Sequence, residues 1–576
     1  MEMPNDVVQE QQTASAPKLF VNNITFNDGK TISLDHNSIV VFTGANNCGK
    51  SQVLKDIERL VANPQLSAAI ATSVESELIG TLPDDFIKSH LSYDNGNYWF
   101  GGNGSDLTGW QRNWTGKNMS VLYQLFLNRL GTEERLTVSK SKPLFNASNH
   151  GRIDSLNMLY KKNKIEDEVS KLFEDAFGTK LVVHRRDGQN VSLRVGERPD
   201  WVEEGRDGEG SYYNGVDVLP KLDDQGDGMR SFASILLDTF ASDYCITLID
   251  EPEAFLHPPQ ARLLGKMLAK NDVGERQLFI STHSEDFLQG LLDADNKNVK
   301  IIRINRIDDI NHMSVLENAK IEELWSSPLL RYSNILSGLF HSKVVVCESD
   351  YDCLFYQAIL DASYESKGEI APDIHFTHCG GKQRLETVIK ALIAVKVPVV
   401  AIADIDVLND ETILRKTTDS FGIVWDNISA HHKKIIEYAQ SQRHQLSEAD
   451  VKRDLTALVN EMQNTNTSSL SKATAEKVSA ILKQSTAWTK IKETGNSFFK
   501  GNADAYNALS QIVSILHFSG LFVVPVGEIE SFYAKVGGHG SHWWEKLVES
   551  KVNFATDNDL QEAREFVQSI AEYRPM

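Results

Sequence analysis

The chain of 576 residues contains few cysteines, five in all. Their number is odd and no two of them form a Cys-x-x-Cys pair, which argues against a disulfide framework and against a structural zinc site. We therefore expect a protein with reduced thiols that works in the cytoplasm. The five are Cys48, Cys245, Cys347, Cys353 and Cys379.

Long apolar runs are also missing. No stretch of 18 or more apolar residues occurs, and the best candidate, at 391–403, is interrupted by Lys396 and Pro398 and is typical of a buried strand. Residues 1–17 are polar, without a basic start or an apolar centre, so they predict a loose tail and no signal peptide. We expect no membrane partner.

Positive charge is scarce, with 59 Lys and Arg against 79 Asp and Glu and a net charge of −20. This balance excludes a basic protein that coats DNA. It does not exclude a nucleic-acid enzyme with a local basic groove, because metal ions can carry much of the phosphate contact. With 41% hydrophobic and 24% charged residues, the chain is predicted to be globular.

A phosphate-binding loop is present at 44–51, where GANNCGKS matches G-x-x-x-x-G-K-[ST] in full between an apolar strand and a helix. The backbone N–H groups of such a loop face phosphate oxygens at a helix N-terminus. Lys50 would reach the β- and γ-phosphates of ATP, and the Ser51 hydroxyl would bind Mg²⁺. The predicted nucleotide contacts in this loop are Gly44, Asn46, Asn47, Gly49, Lys50 and Ser51.

A second ATPase element follows at 246–251, where the strand ITLIDE ends in two acids. Alone it could be an acidic surface turn, but beside a phosphate-binding loop it predicts that Asp250 holds Mg²⁺ and Glu251 activates water. His283 follows another apolar strand and is predicted to sense the γ-phosphate. The alternation of strands and helices here predicts a parallel α/β sheet.

These segments resemble a known ATPase group. DEPEAFLHPPQ at 250–260 and STHSEDFL at 281–288 look like the ATP-binding-cassette ATPases of the structural-maintenance and DNA-repair group. QGDGMRSFASILL at 225–237 resembles their signature helix, although it departs from the usual Ser-Gly-Gly-Gln form. The resemblance implies that Gly228 contacts ATP bound to the opposite chain, and so implies a homodimer formed through the ATPase heads.

Three further apolar strands each end in acids, in ESDYD at 348–352, ADID at 403–406 and GEIES at 527–531. The carboxyl ends of parallel strands meet at one sheet edge. Clustered carboxylates suit Mg²⁺ or Mn²⁺, and two such ions about 4 Å apart can activate water for phosphodiester cleavage. The candidate metal ligands are Glu348, Asp352, Asp404, Asp406, Glu528 and Glu530.

The E-x-x-x-D and D-x-D pattern resembles the Toprim fold of topoisomerases, primases and certain nucleases, with Ser349 where many members have Gly. HCGGKQRL at 378–385 is similar to the segment between those motifs. An ATP-binding-cassette head followed by a Toprim domain is the layout of the overcoming-lysogenization-defect (OLD) family of nucleases. The Gabija nuclease subunit and some retron-associated effectors share that layout.

The resemblance implies an α/β fold of two parts. We predict an ATPase head with a mixed or parallel sheet at 18–340, carrying an inserted segment at about 63–215. A Toprim (Rossmann-like) domain follows at 341–576, with a helical insertion at about 410–515. Within the first insertion, the Gly-, Asn- and Trp-rich stretch 93–117 predicts an irregular loop.

The same resemblance implies a DNA endonuclease of a bacterial antiphage system that binds and hydrolyses ATP and depends on a divalent metal ion. A retron reverse transcriptase with its DNA, or a helicase, would be a partner, and the dimer could build into a higher oligomer. The family also uses a lysine near the C-terminus, for which Lys535, Lys546 and Lys551 are candidates and Lys546 is preferred. The predicted catalytic residues are Glu251, Glu348, Asp404 and Lys546.

Two other functions remain open. One is an ATP-dependent sensor whose Toprim part is a scaffold for a partner effector, which the acids at all three strand ends disfavour. The other is topoisomerase or primase chemistry. A topoisomerase needs a positioned tyrosine in a further domain, and primases of this type usually carry a zinc module, neither of which the sequence displays.

Overall fold

A computed structural model describes residues 15–100, 102–145, 153–199, 211–270, 274–316, 335–442, 448–462, 474–475, 477–478, 481 and 487–574. Most of the predicted tail, residues 1–14, lies outside them. The chain divides into two compact units, Met1–Glu322 and Glu323–Met576, which are described separately below. Among the described residues, no helix combines the length and apolar character needed to cross a membrane.

The first unit is built on a six-stranded sheet that is parallel except at one edge, where the last strand is antiparallel. Three of its inner strands, Ile39–Gly44, Gln277–Ser281 and Ile246–Asp250, are almost wholly buried, as expected for a sheet covered on both faces. This architecture confirms the predicted α/β class. In spatial order the strands are Ile310–Leu316, Val299–Ile307, Ile39–Gly44, Gln277–Ser281, Ile246–Asp250 and Leu127–Leu130.

Among the described residues of the first unit, three small antiparallel sheets of three strands each accompany the central sheet. The first consists of Thr31–Ser33, Lys18–Phe26 and Ala71–Ile79. The second consists of Leu181–Asp187, Asn190–Val195 and Lys142–Pro143. The third consists of Ser92–Asp94, Asn97–Phe100 and Asn103–Ser105.

Helices of the first unit surround these sheets. The helix Lys50–Ala62 leaves the phosphate-binding loop and packs its apolar face into the core. The α-helices are Lys50–Ala62, Asp84–His90, Leu107–Thr115, Met119–Phe126, Arg135–Val138, Ser155–Lys161, Asn163–Phe177, Ser211–Asp217, Asp227–Leu236, Pro258–Lys270 and Glu285–Leu292. A π-helical turn, Leu237–Ala241, extends the helix that begins at Asp227.

The stretch 93–117 differs from the predicted irregular loop. It contains short strands and the helix Leu107–Thr115, whose N-cap Asp106 accepts a hydrogen bond from the Gly109 N–H. Trp110 is buried, and its ring N–H donates to the Tyr98 carbonyl oxygen at 3.0 Å. Burial of aromatic side chains therefore gives regular structure to a segment whose many turn residues predict an irregular loop.

The second unit is a four-stranded parallel sheet flanked by helices, with the spatial order Ile374–His378, Lys343–Cys347, Val399–Ala403 and Leu521–Val523. The three strands that end in the predicted acids are neighbours in this order, so their carboxyl ends form one edge. The helices packed around it are Asp350–Glu365, Leu385–Ala394, Ser541–Glu549 and Gln561–Glu572.

A helical segment separates the last two strands of the second sheet. It begins after the short 3₁₀ turn Ile405–Asn409 that follows the strand Val399–Ala403. Its α-helices are Glu411–Ser420, Asp426–Ser441, Glu448–Met462, Ala487–Thr494 and Ala503–Phe518. A 3₁₀ segment, Ile529–Val536, carries the chain away from the acids after the strand Leu521–Val523.

Candidate active sites

The phosphate-binding loop follows the strand Ile39–Gly44 at the carboxyl edge of the first sheet. A side chain at Gly44 would come within 2.3 Å of the Ile304 carbonyl oxygen, so the tight curl of the loop requires glycine there. Lys50 is buried, and its ammonium donates to the carbonyl oxygens of Gly44 at 2.9 Å and Ala45 at 3.0 Å. These two hydrogen bonds fix the Lys50 ammonium against the start of the phosphate-binding loop.

The other predicted contacts of this loop are placed around the same curl. Asn46 and Asn47 are exposed, and Asn47 has a left-handed φ of 61°. Gly49 is also left-handed and directly precedes the helix that begins at Lys50. The exposed asparagines and the helix N-terminus leave the loop open to a phosphate group.

Asp250 ends the strand Ile246–Asp250, which is separated from the strand of the phosphate-binding loop by Gln277–Ser281. Its Oδ1 accepts a hydrogen bond from the Ser51 hydroxyl at 2.8 Å and another from the Ser281 hydroxyl. A hydroxyl and a carboxylate joined in this way, next to a phosphate-binding loop, fit the ligand set that Mg²⁺ needs beside ATP. The sequence predicts that Ser51 and Asp250 each help to hold Mg²⁺, and that role stays a prediction.

Glu251 and His283 face each other across the same strand ends, with His283 Nδ1 3.4 Å from a Glu251 carboxylate oxygen. Glu251 has a left-handed φ of 48°, which is strained for a residue with a side chain. His283 Nδ1 is also 3.3 Å from a Glu253 carboxylate oxygen. Both predicted residues therefore lie in one acidic group beside Asp250.

Two residues of this site were missed by sequence reasoning. Arg135 is fully buried, and its guanidinium donates to the carbonyl oxygens of Asp250 at 2.7 Å and Glu251 at 2.9 Å. Burial lowers its pKa, although the acids around it act in the opposite direction. Glu253 is buried too, and its carboxylate accepts from the Thr282 hydroxyl and the His283 N–H, both at 2.9 Å.

Gly228 lies in the first turn of the helix Asp227–Leu236. A side chain there would come within 2.7 Å of the Phe255 carbonyl oxygen, so this helix packs closely on the loop that follows Asp250. Phe255 itself is left-handed, with φ of 71°, and half exposed. The predicted contact of Gly228 with ATP on another chain stays a prediction.

In the second unit, Glu348, Asp404 and Asp406 come together, with carboxylate oxygens of all three within 4.8 Å of one another. Glu348 Oε1 accepts from the Asp404 N–H at 3.0 Å. Burial raises the pKa of Glu348 to about 7, and nearby Asp406 and Asp352 add to that rise. Burial and the charge of Glu348 also raise the pKa of Asp404.

Glu528 and Glu530 form a second group with His539, again within 4.8 Å. Glu530 Oε1 accepts from the Gly540 N–H and lies 2.7 Å from His539 Nδ1. His539 was missed by sequence reasoning, although its Gly-Gly-His-Gly context at 537–540 signals an unusual backbone. Glu530 Oε2 and Asp406 Oδ1 are buried with no hydrogen-bond partner in the structure, which fits oxygens that await a cation.

Asp352 has a structural role as well as its predicted one. Its carboxylate accepts from the Ser349 N–H at 2.8 Å, while the Ser349 hydroxyl accepts from the Asp352 N–H at 3.3 Å. This reciprocal pair is a capping box at the start of the helix Asp350–Glu365. The serine that departs from the family pattern therefore caps a helix beside the acids.

Members of both acidic groups line one cavity of about 540 Å³. Two lysines approach these acids. Lys382, from the Gly-Gly-Lys segment, donates to Asp406 at 2.8 Å, and Lys492 lies near Asp404, Asp406 and Glu528. The cavity is lined by Glu348, Ser349, Asp350, Tyr351, Asp352, His378, Gly380, Gly381, Asp404, Lys492, Ile529, Glu530, His539, Gly540 and Trp543.

The predicted catalytic Lys546 is half-buried on the helix Ser541–Glu549 and does not belong to that lining. Of the other C-terminal candidates, Lys535 pairs with Asp559. A catalytic role for a C-terminal lysine stays a prediction. Lys492, which comes from the helical segment, is the lysine in this cavity, and no motif in the sequence marks it.

Comparison with known protein families separates the chain into the same two kinds of domain. Residues 125–288 match the model described as "AAA domain, putative AbiEii toxin, Type IV TA system". Residues 339–406 match the model described as "Overcoming lysogenization defect protein-like, TOPRIM domain". The chain thus joins an ATPase-type domain to a Toprim domain. It has the domain pair of the OLD-like proteins, which confirms the resemblance seen in the sequence.

Solved structures similar to this chain include ATPase heads. An Smc head bound to the C-terminal winged-helix domain of ScpA shares 13% identity with a TM-score of 0.33, covering 53% of this chain and 99% of that one. The SMC head domain from Thermotoga maritima has 13% identity and a TM-score of 0.28, with 53% and 100% coverage. A nucleotide-free cassette of an ABC transporter has 12% identity and a TM-score of 0.23, with 55% and 98% coverage. No curated protein sequence matches the chain.

Proposed function

We propose that the protein is a DNA endonuclease that binds and hydrolyses ATP and requires a divalent metal ion. The observation that carries this proposal is the meeting of Glu348, Asp404 and Asp406 at one edge of the Toprim sheet, with their carboxylate oxygens within 4.8 Å. Carboxylates at such distances repel each other, so their placement together at a cavity favours a cation-binding role.

In the nuclease site, Glu348, Asp404 and Asp406 would hold one divalent ion, and Glu528, Glu530 and His539 a second position. Mg²⁺ or Mn²⁺ would supply charge neutralisation and a more acidic bound water. Asp352 holds the start of its helix through the capping box and thereby positions Glu348. The cavity is open enough to admit a phosphate of the DNA backbone.

In the ATPase site, Lys50 would exchange its two loop carbonyls for the β- and γ-phosphates of ATP. Ser51 and Asp250 would hold Mg²⁺, and Glu251 would orient the attacking water, with His283 near the γ-phosphate. Arg135 fixes the carbonyls of Asp250 and Glu251 and so keeps both acids at the strand end.

We further propose that ATP joins two heads into a homodimer, with Gly228 of one chain contacting ATP on the other. This arrangement could build into a higher oligomer. The proposed setting is the bacterial cytoplasm, in antiphage defence, with a retron reverse transcriptase and its DNA or a helicase as partner. The OLD-like Toprim match supports this setting by analogy of domain type.

A sensor or scaffold that needs a partner effector is the second candidate. It is favoured by one observation, that Lys382 and Lys492 already offset part of the negative charge at the acids without any metal ion. A Toprim part of this kind would bind a partner and would not cleave DNA.

The test is cleavage of plasmid and linear DNA by the full chain with Mg²⁺ or Mn²⁺, with and without ATP. Glu348→Gln should abolish cleavage and leave ATP hydrolysis, whereas the exposed Glu369→Gln should change neither. Lys50→Ala should remove ATP hydrolysis, with the exposed Lys55→Ala in the same helix as its control. Cleavage that survives Glu348→Gln contradicts the proposed nuclease site, and wild-type ATP hydrolysis without cleavage favours the scaffold.

A further inference from the structure

Lys492 occupies an unusual position among the acids of the second unit. Its ammonium nitrogen lies 3.2 Å from Glu528 Oε2, 3.5 Å from Asp404 Oδ2 and 3.6 Å from Asp406 Oδ2. Lys382, by contrast, makes one short contact of 2.8 Å, to Asp406. Lys492 is therefore shared among carboxylates from two strand ends, with its shortest contact to Glu528.

The backbone around Lys492 is built to deliver it there. It belongs to the helix Ala487–Thr494, and its carbonyl oxygen would be only 2.0 Å from a side chain added at Gly527, the first residue of the Gly-Glu-Ile-Glu turn. The Ser531 hydroxyl donates to the carbonyl oxygen of Glu493 at 3.2 Å. The helical segment is thus docked directly against the turn that carries Glu528.

The same lysine forms part of the cavity wall, together with Glu348, Asp404 and Glu530, and about 29% of its side chain is exposed. Once divalent cations neutralise the carboxylates, the attraction that holds the ammonium between them is largely cancelled. The ammonium then has donors available for another anion in the cavity. A DNA phosphate bound at these acids is the anion of matching charge and reach.

We propose that Lys492 is a further catalytic residue, whose ammonium contacts the scissile phosphate. This inference rests on the proposed nuclease function. In the reaction a water oxygen bonds to phosphorus and loses a proton to solvent, while the bond to the leaving sugar oxygen breaks and that oxygen gains a proton from water. Lys492 transfers no proton, and its charge offsets the negative charge that builds on the phosphoryl oxygens.

The test measures two properties of each variant of the full chain, Mn²⁺ affinity by calorimetry without DNA and the rate of DNA cleavage. Lys492→Gln should bind Mn²⁺ about tenfold or more tightly, because a positive charge near the ion is removed. Its cleavage rate should nevertheless fall about 100-fold. Lys492→Arg should bind Mn²⁺ as weakly as wild type and should recover part of the cleavage rate. Lys490→Gln, an exposed change in the same helix, should resemble wild type in both properties.

The opposite signs of the two effects separate the alternatives. If Lys492→Gln weakens both Mn²⁺ binding and cleavage, the residue only supports the structure, and if it strengthens both, the residue only competes with the metal ion. Either result overturns the proposal. Wild-type protein that binds Mn²⁺ and cleaves no DNA refutes the proposed function as well, whereas normal wild-type cleavage with an unaffected Lys492→Gln refutes the role of Lys492 alone.

Discussion

Replacing Glu348 by Gln should stabilise the metal-free protein at alkaline pH while destroying its predicted activity. The glutamate has its pKa raised by burial from 4.5 to about 7. The difference corresponds to about 3 kcal/mol, at about 1.4 kcal/mol for each tenfold change in proton affinity. Gln keeps the oxygen that accepts the Asp404 N–H, so the variant removes the charge and preserves the contact.

The pH dependence of this effect follows from the direction of the shift. Because the pKa is higher in the folded protein, the charge of Glu348 costs nothing below pH 4.5, its cost grows between pH 4.5 and about 7, and it is complete above that. The stability gain of Glu348→Gln should therefore be up to about 3 kcal/mol at pH 8 and under about 1 kcal/mol at pH 5.

The assay is calorimetric unfolding in a metal chelator at both pH values. A gain of about 3 kcal/mol corresponds to a rise of roughly 6–12 °C in Tm for a unit of this size. The transition that belongs to the second unit is the one that added Mn²⁺ raises in wild type, since a bound ion stabilises only the folded state. Mn²⁺ should raise the Tm of Glu348→Gln less than that of wild type.

The exposed Glu369→Gln serves as the control and should shift neither transition at either pH. Equal stability of Glu348→Gln and wild type at pH 8 would show that the charge of Glu348 does not destabilise the folded protein, and would refute the prediction. A gain of the same size at pH 5 would also refute the reasoning, because it would have to come from something other than charge.

Three other substitutions test contacts that position the sites. Arg135→Met should lower ATP hydrolysis at least tenfold and the free energy of unfolding by about 3 kcal/mol, because two buried carbonyls lose charged donors; hydrolysis assays and denaturant titration measure both. Gly527→Ala should cost about 2 kcal/mol and impair cleavage, because its Cβ would displace the Lys492 carbonyl. Lys343→Met should cost about 3 kcal/mol in urea unfolding, because the lysine ammonium binds three carbonyls that end the helix Gln561–Glu572; an unchanged midpoint would contradict its role as a cap.

Local sequence patterns predicted those parts of the two sites that lie at the ends of apolar strands. The phosphate-binding loop and the strand that ends in Asp250 each combine an apolar run with a polar end, and the parallel sheet order brings them together. The same logic predicted that Glu348 and Asp404 would meet, since their strands are neighbours. Such sites follow from sheet topology, which fixes where strand ends converge.

Contacts made across long stretches of chain could not be predicted in this way. Arg135 reaches the Asp250 strand from a short helix 115 residues earlier, and Lys492 reaches Asp404 from a segment with no motif of its own. The residues next to Lys492 in the sequence do not indicate that it packs against the turn at Gly527 and lies beside the acids. The prediction of an irregular loop at 93–117 was wrong for a related reason. Burial of Trp110 in the core outweighs the many turn residues in that stretch.

In both sites the acids lie at strand ends, and the main chain that carries them is fixed by contacts with other residues. The Arg135 guanidinium donates to the main-chain carbonyl oxygens of Asp250 and Glu251, and Glu251 has a left-handed backbone conformation. In the second unit, Ser349 and Gly527 hold the turns that carry acids. Because a strained or crowded backbone persists only where its surroundings enforce it, these supports indicate that the positions of the acids, as well as their charges, are what the fold maintains. Loss of a support should therefore impair a site even where every acid remains.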